Sequence, residues 1–191
     1  HTIPHPGEYG YETWPEDAYL KSGGANVWSG FSLDVERGIV YAPTGSPSFD
    51  FYGGDRIGSN LFGNSIIALN ATTGKRIWHY QTVHHDLFDY DLPAPPNLVT
   101  IEKDGEKIDA IAQISKIGFL YVLNRVTGEP IYPIVETKVP VSDLEGEESW
   151  PTQPIPTVYP PFSRTILTEE DLAIRSEEAS AFAKALWQNS L

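Results

Sequence analysis

Ser65-Ile-Ile-Ala-Leu-Asn70-Ala-Thr-Thr-Gly74-Lys-Arg-Ile-Trp78 decides how this chain is read. Alternating apolar residues run into an asparagine, and a glycine four positions on supplies a positive φ before apolar residues resume. This is the grammar of a strand, a tight turn and a returning strand. The scheme is preceded by Phe31-Ser-Leu-Asp34-Val-Glu-Arg-Gly38-Ile-Val-Tyr-Ala42. It is followed by Phe119-Leu-Tyr-Val-Leu-Asn124-Arg-Val-Thr-Gly128-Glu-Pro-Ile131.

A hairpin recurring at this interval predicts an all-β chain with the rhythm of propeller blades, about three of them here. Three unrelated hairpins in a sandwich are the plainer alternative. Between the first two hairpins lies Pro43 to Gly58, too rich in Gly and Pro for a strand and too aromatic for a linker. Asp50, Asp55 and Arg56 in this loop are placed to shape a binding mouth, or to form ordinary loop ion pairs. From Pro130 onward the prolines multiply, which predicts an extended segment draped over a surface. Thr168-Glu-Glu-Asp171 reads as a capping box opening a helix over 168–187, with Ala, Phe, Leu and Trp along one face.

The chain has 191 residues, 40% of them hydrophobic and 20% charged, a composition able to bury a core. It carries a net charge of -13 and no cluster of Lys and Arg, which argues against nucleic-acid binding. With no cysteine there is no disulfide, no thiolate nucleophile and no Cys-ligated metal. No window approaches the roughly 18 apolar residues of a membrane span. There is no methionine and no signal-like leader, so the sequence is expected to be a processed or partial chain.

Chemistry concentrates in His84-His85-Asp86-Leu87-Phe88-Asp89-Tyr90-Asp91-Leu92-Pro93, where two histidines and three carboxylates crowd together. A lone cation, Lys116, follows one strand later. Ionisable groups between strand-like segments suit proton chemistry better than a core. Adjacent histidines in an extended chain point to opposite sides, so His84 and His85 cannot both reach one small ligand. One of them is expected to orient the aspartate loop or line the substrate entrance. Asp86 and Asp91 are read as fixing loop geometry. A zinc site from His84, His85 and Asp86 is disfavoured, because contiguous ligands rarely close a tetrahedron.

The Ala68 to Trp78 pattern resembles the tryptophan-docking motif of quinoprotein dehydrogenases, eight-bladed propellers that hold pyrroloquinoline quinone (PQQ) and Ca²⁺ on their axis. Trp78 to Pro93 is similar to that family's segment with a His-Asp-x-x-Asp core. The resemblance runs from about Gly23 to Pro161 and is closest to the membrane glucose dehydrogenase branch. It implies that Asp89 is the catalytic base and Lys116 the cation beside the quinone. Trp28, in Asn-Val-Trp-Ser-Gly, would be the stacking platform. Ser46, in Pro-Thr-Gly-Ser, would stand where the family places a calcium-ligating asparagine, with a hydroxyl in place of an amide oxygen.

The resemblance further implies oxidation of a sugar or alcohol hydroxyl, with electrons passed to ubiquinone or a cytochrome c. It implies a bacterial periplasmic location, with membrane association through regions outside this chain. The whole chain, 1–191, is then a fragment of one propeller domain, expected to be inactive in isolation. Two rival readings remain. A glycoside hydrolase would use paired carboxylates but has no role for Lys116. A non-catalytic propeller scaffold would lack the Asp89, Lys116 and Trp28 constellation.

Overall fold

The computed structural model describes residues 1–189. Its strands form three antiparallel sheets. Strands β1 (Ser32–Asp34), β2 (Ile39–Pro43), β3 (Leu61–Asn70) and β4 (Arg76–Gln81) pair in sequence order. Strands β5 (Asn97–Lys103), β6 (Glu106–Ile114) and β7 (Leu120–Asn124) form a second sheet. A two-stranded ribbon joins β8 (Ile134–Lys138) to β9 (Thr152–Pro156). This is the blade-like, all-β architecture expected from the sequence, although the hairpins do not fall one to a sheet.

The hairpins are shared unevenly among the sheets. Asp34 to Gly38 joins β1 to β2 and Asn70 to Gly74 joins β3 to β4, so two of the three lie in one sheet. Asn124 to Gly128 is the counterpart of the second, one sheet further on. In both asparagine turns the side-chain Oδ1 accepts backbone N–H groups two and three residues ahead. The glycine then takes a positive φ, 68° at Gly74 and 77° at Gly128. After Gly128 the returning segment makes only an isolated bridge, Leu123 to Pro130. Pro130 and Pro133 have no N–H to give a ladder, which stops a fourth strand from forming.

The two larger sheets meet along a seam built around Trp78. Its indole lies against Gly128, where an added β-carbon would come within 2.6 Å of the ring. Its Nε1–H donates to the Arg125 carbonyl at 3.2 Å, and the Tyr41 hydroxyl donates to the same carbonyl at 2.8 Å. Around this point the core gathers Ile66, Ile111, Tyr121 and Leu123, all essentially inaccessible to solvent. At one end of the seam Arg37 bridges Asp34 and Asp109, and Arg125 binds Asp34 at 3.2 Å and the Val99 carbonyl at 2.8 Å. Buried charges of both signs thereby find partners across the sheets.

Two regions depart from expectation. The proline-rich stretch does not simply drape, since β8 and β9 pair over five residues with Pro154 and Pro156 in register. The capping box at Thr168 and Asp171 is formed, but it opens only a 3-10 turn, Glu169–Asp171. The helix itself, α2 (Glu177–Asn189), begins later, where Ser176 Oγ accepts the Ala179 N–H at 3.1 Å. A short α1 (Ala18–Lys21) lies near the start. No described helix is long and apolar enough to cross a membrane.

Gly74 and Gly128 provide a controlled test of the seam. Both have a left-handed φ, but nothing lies within 4 Å of a β-carbon at Gly74. Gly74→Ala is expected to cost about 1 kcal/mol of stability from backbone strain alone. Gly128→Ala should cost at least about 2 kcal/mol, because the methyl also displaces the indole. Urea unfolding of both variants measures the difference, and equal losses would show that Trp78 is not seated on this turn.

Candidate active site

The loop from His84 to Pro93 leaves β4 at the seam and crosses to the second sheet, where Leu92 is fully buried in the core. Its side chains alternate in destination. Asp89 pairs with Lys116 in an ion pair on the open side of the loop. Phe88 and Tyr90, stacked at 5.5 Å, line a cavity of about 790 Å³ on the other. Asp89 itself sits in the left-handed region, at φ 57°.

Lys116 is held by its main chain as well, its N–H donating to the Asp91 carbonyl at 2.9 Å. The hydrogen bond to Asp89 raises the ammonium pKa, so the cation stays charged. Asp91 lies one step behind this pair. Its Oδ1 accepts the Ser46 N–H at 2.6 Å, and burial pushes its carboxyl up to about 6, with the neighbouring Asp89 charge acting in the same direction.

Gly45 connects this group to Trp28. A β-carbon there would collide with Asp91 Oδ1 and approach Trp28 Nε1 to 3.0 Å, so only glycine allows the indole to lie so close to the carboxylate. Trp28 is 54% exposed and presents a free aromatic surface. Asp89, Lys116 and Trp28 are therefore gathered around Asp91 and Gly45, with Ser46 beneath. Ser46 is buried, and its hydroxyl lies 3.4 Å from the Pro47 carbonyl and also hydrogen-bonds the Asp86 carboxylate.

The other loop residues are structural ties. Asp86, 1% exposed, accepts from the Phe88 N–H at 3.0 Å, the Tyr90 N–H at 2.6 Å and Asn64 Nδ2 at 2.7 Å. Burial pushes its carboxyl pKa up, and these donors hold against that rise. His84 turns toward the ribbon. Its Nδ1 meets Gln81 at 2.8 Å, its Nε2 meets Glu136 at 3.1 Å, and its backbone exchanges hydrogen bonds with the Gln153 side chain. His85 turns the opposite way and is buried. The two histidines thus diverge, but across a bend in which His85 takes a left-handed φ of 46°, not along the extended chain expected from the sequence.

Arg56 corrects the expectation for the aromatic loop. It is fully buried and does not shape a mouth. Its guanidinium binds Asn60 Oδ1 at 2.9 Å, the Phe49 carbonyl at 3.0 Å and the Asp86 carbonyl. Asn60 and Asn64, both in left-handed conformations, escaped the sequence reading. Gly63-Asn64-Ser65 breaks the apolar run at the start of β3, and that interruption was the available signal.

The cavity does not include Asp89, Lys116 or Trp28. Its walls are the inner face of the site loop, the ribbon and the excursion from Val139 to Trp150. That excursion is tied to the aromatic loop by Glu147 Oε1, which accepts the Gly53 N–H at 2.8 Å, and by the Tyr52 hydroxyl on the Glu145 carbonyl at 3.2 Å. Among the described residues, no three His, Asp or Glu side chains converge as a metal-binding group.

Comparison with known proteins gives this arrangement a context. The family described as PQQ glucose/ethanol/alcohol dehydrogenase, β-propeller domain, matches residues 3–190. The chain is 39% identical over 171 residues to the quinate/shikimate dehydrogenase (quinone) of Acinetobacter baylyi, covering 88% of this chain and 21% of that protein. It is 44% identical over 130 residues to the quinoprotein glucose dehydrogenase of Escherichia coli, covering 68% of this chain and 16% of that protein. The solved quinohemoprotein alcohol dehydrogenase ADHIIG of Pseudomonas putida superposes with a TM-score of 0.60 at 35% identity, over 71% of this chain and 22% of that one. The chain spans about a fifth of the length of the curated relatives it matches.

His85 supplies a test of the site's interior. Its Nδ1 lies 3.0 Å from Asn60 Oδ1, an oxygen that also accepts from Arg56, so Nδ1 carries the proton and Nε2 is left with an unpaired electron pair. Burial, aided by the Arg56 charge, lowers its pKa to about 4. The folded state keeps His85 neutral where the unfolded chain would take up a proton near 6.5. Stability present above pH 6.5 is therefore lost as the pH falls toward 4, by up to about 3 kcal/mol. Urea midpoints at pH 7 and 4.5 should fall more for the parent protein than for His85→Gln, and parallel falls would contradict a neutral buried imidazole.

Proposed function

Because the chain belongs to the PQQ glucose/ethanol/alcohol dehydrogenase β-propeller family, we infer that it contributes part of the active site of a dehydrogenase that oxidises a sugar or alcohol hydroxyl. The observation that carries this reading is the convergence of Asp89, Lys116 and Trp28 around Asp91 and Gly45. We read the chain as one portion of a single propeller domain. A glycoside hydrolase is set aside by the family, and a scaffold leaves the Asp89–Lys116 pair without a purpose.

The residues fit the expected cofactor. A half-exposed indole lying over a glycine floor is a platform for a flat ring, and an ammonium at its side suits the electronegative edge of a quinone. When bound, PQQ supplies the two-electron acceptor. A hard cation such as Ca²⁺ accords with an oxygen donor such as the hydroxyl of buried Ser46, which lies beside the Asp91 carboxylate through its own N–H. In this reading Ser46 is the metal ligand and Trp28, Lys116 and Ser46 the cofactor contacts.

In this reading Asp89 accepts the proton of the substrate hydroxyl as the carbinol hydrogen departs with its electron pair. Lys116 holds the carboxylate ready and then stabilises negative charge developing beside it. Asp91, held by the Ser46 N–H, keeps the base and the cation in register. His84 ties the loop to the ribbon, and Asp86 and His85 support it from beneath. Electrons pass on to a quinone or a cytochrome, and the setting is periplasmic or membrane-associated, as is typical of the family.

Two measurements test the reading on the intact protein. Reduction of an artificial electron acceptor with glucose, quinate, glycerol or ethanol should appear only after PQQ and Ca²⁺ are added, and turnover with NAD in their place would sink it. Asp89→Asn should leave PQQ bound but lower kcat by about 100-fold or more. Unchanged turnover would remove Asp89 from the mechanism.

A further inference from the structure

We propose that Asn64 and Asp86 are the positioning pair for Asp89, fixing the base from the rigid strand β3 and coupling it to the floor beneath Trp28. The proposal rests on the reading of Asp89 as the base. Nothing in the chemistry of hydroxyl oxidation calls for a buried asparagine on β3, and its contacts supply the reason for one.

The left-handed region is uncommon for a residue with a β-carbon, and the surroundings of Asp89 hold it there. The two peptide N–H groups flanking Asp89, those of Phe88 and Tyr90, are both gripped by the single carboxylate of Asp86, at 3.0 and 2.6 Å. A chain clamped on both sides of one residue has little freedom at that residue. The clamp turns Phe88 and Tyr90 toward the cavity and leaves Asp89 directed at Lys116.

The clamp needs an anchor, and Asn64 provides it. Its Nδ2 donates to Asp86 Oδ2 at 2.7 Å, which fixes the carboxylate orientation. Asn64 is itself held by its main chain. Its N–H donates to the Gly45 carbonyl at 3.0 Å, and its carbonyl accepts from the Thr82 N–H and hydroxyl, each at 2.7 Å. One side chain on β3 thus holds the base loop, while its main chain holds Gly45, on which Trp28 lies. An aspartate at this position would set two buried carboxylates against each other, and an alanine would leave Asp86 with one donor fewer. The Arg56 guanidinium on the Asp86 carbonyl steadies the same residue from the other side.

The test uses Asp86→Asn and Asn64→Ala in the intact protein loaded with PQQ and Ca²⁺, with the most active of glucose, quinate, glycerol and ethanol as probe. Each variant should retain PQQ and lose about tenfold or more in kcat per bound PQQ, with KM within about twofold, since a base displaced by around 1 Å is costly. A purely structural role would lower the yield and melting temperature but leave kcat per bound PQQ unchanged. Crystal structures of the variants give a readout independent of turnover, in which Asp89 should leave the left-handed region and separate from Lys116. Asn64→Ala keeps the test open if Asp86→Asn does not accumulate. An Asp89 that stays paired with Lys116 in both variants overturns the proposal whatever the activity. A parent protein inactive with every probe would defeat the dehydrogenase reading, while the position of Asp89 would still decide this one.

Discussion

The seat of Trp78 on Gly128 is the contact from which the remaining geometry follows. The indole closes the gap between the two larger sheets, and its Nε1–H meets the carbonyl that also receives the Tyr41 hydroxyl. An aromatic ring of this size contributes more to a seam than any single aliphatic residue can. Since Trp78 lies in β4, the strand that leads into the site loop, docking the ring also sets where the chain re-emerges at Thr82. Tyr121 reinforces that point, its hydroxyl sitting 3.1 Å from both the Thr82 and Pro154 carbonyls.

Beyond the seam, order in the site comes from polar groups more than from apolar packing. Arg56, Asn60, Asn64, His85 and Asp86 are all nearly or fully buried, and together they form a hydrogen-bonded bed under the loop. Such networks are costly when half satisfied and rigid when complete. Here completion is near, with Arg56 Nε and His85 Nε2 the exceptions within this bed. The outer face can then hold a carboxylate and an ammonium at partial exposure without the loop collapsing around them.

The sequence made the strands and their turns legible because asparagine followed by glycine four positions on has a direct backbone meaning, realised at Asn70 and Asn124. It also singled out Asp89 and Lys116, and the structure pairs them. The bed beneath them was hidden, because a buried asparagine gains its meaning only from partners far along the chain, such as Asn64 with Asp86 and Gly45. Arg56 misled for the same reason, since a charged residue in a polar loop reads as exposed until its three carbonyl and amide partners are known. The ribbon escaped because proline usually signals the absence of pairing, and here Pro154 and Pro156 fall within a short strand. The helix start was displaced because a genuine capping box serves a single turn just before it.

The seat of Trp78 also has a polarity. The ring belongs to one sheet and the glycine beneath it to the next, so the contact is head-to-tail, and its two sides are not interchangeable. An interface of this kind stacks units in one rotational sense and leaves no exposed edge only when the rotation closes on itself. Eight residues after Asn124, the spacing at which Trp78 follows Asn70, stands Tyr132, outside the strands of the second sheet, and its ring meets Tyr159 edge-on at 5.6 Å. Within the described residues Tyr132 thus makes a local contact, and from there the chain goes on to build the ribbon and the cavity wall.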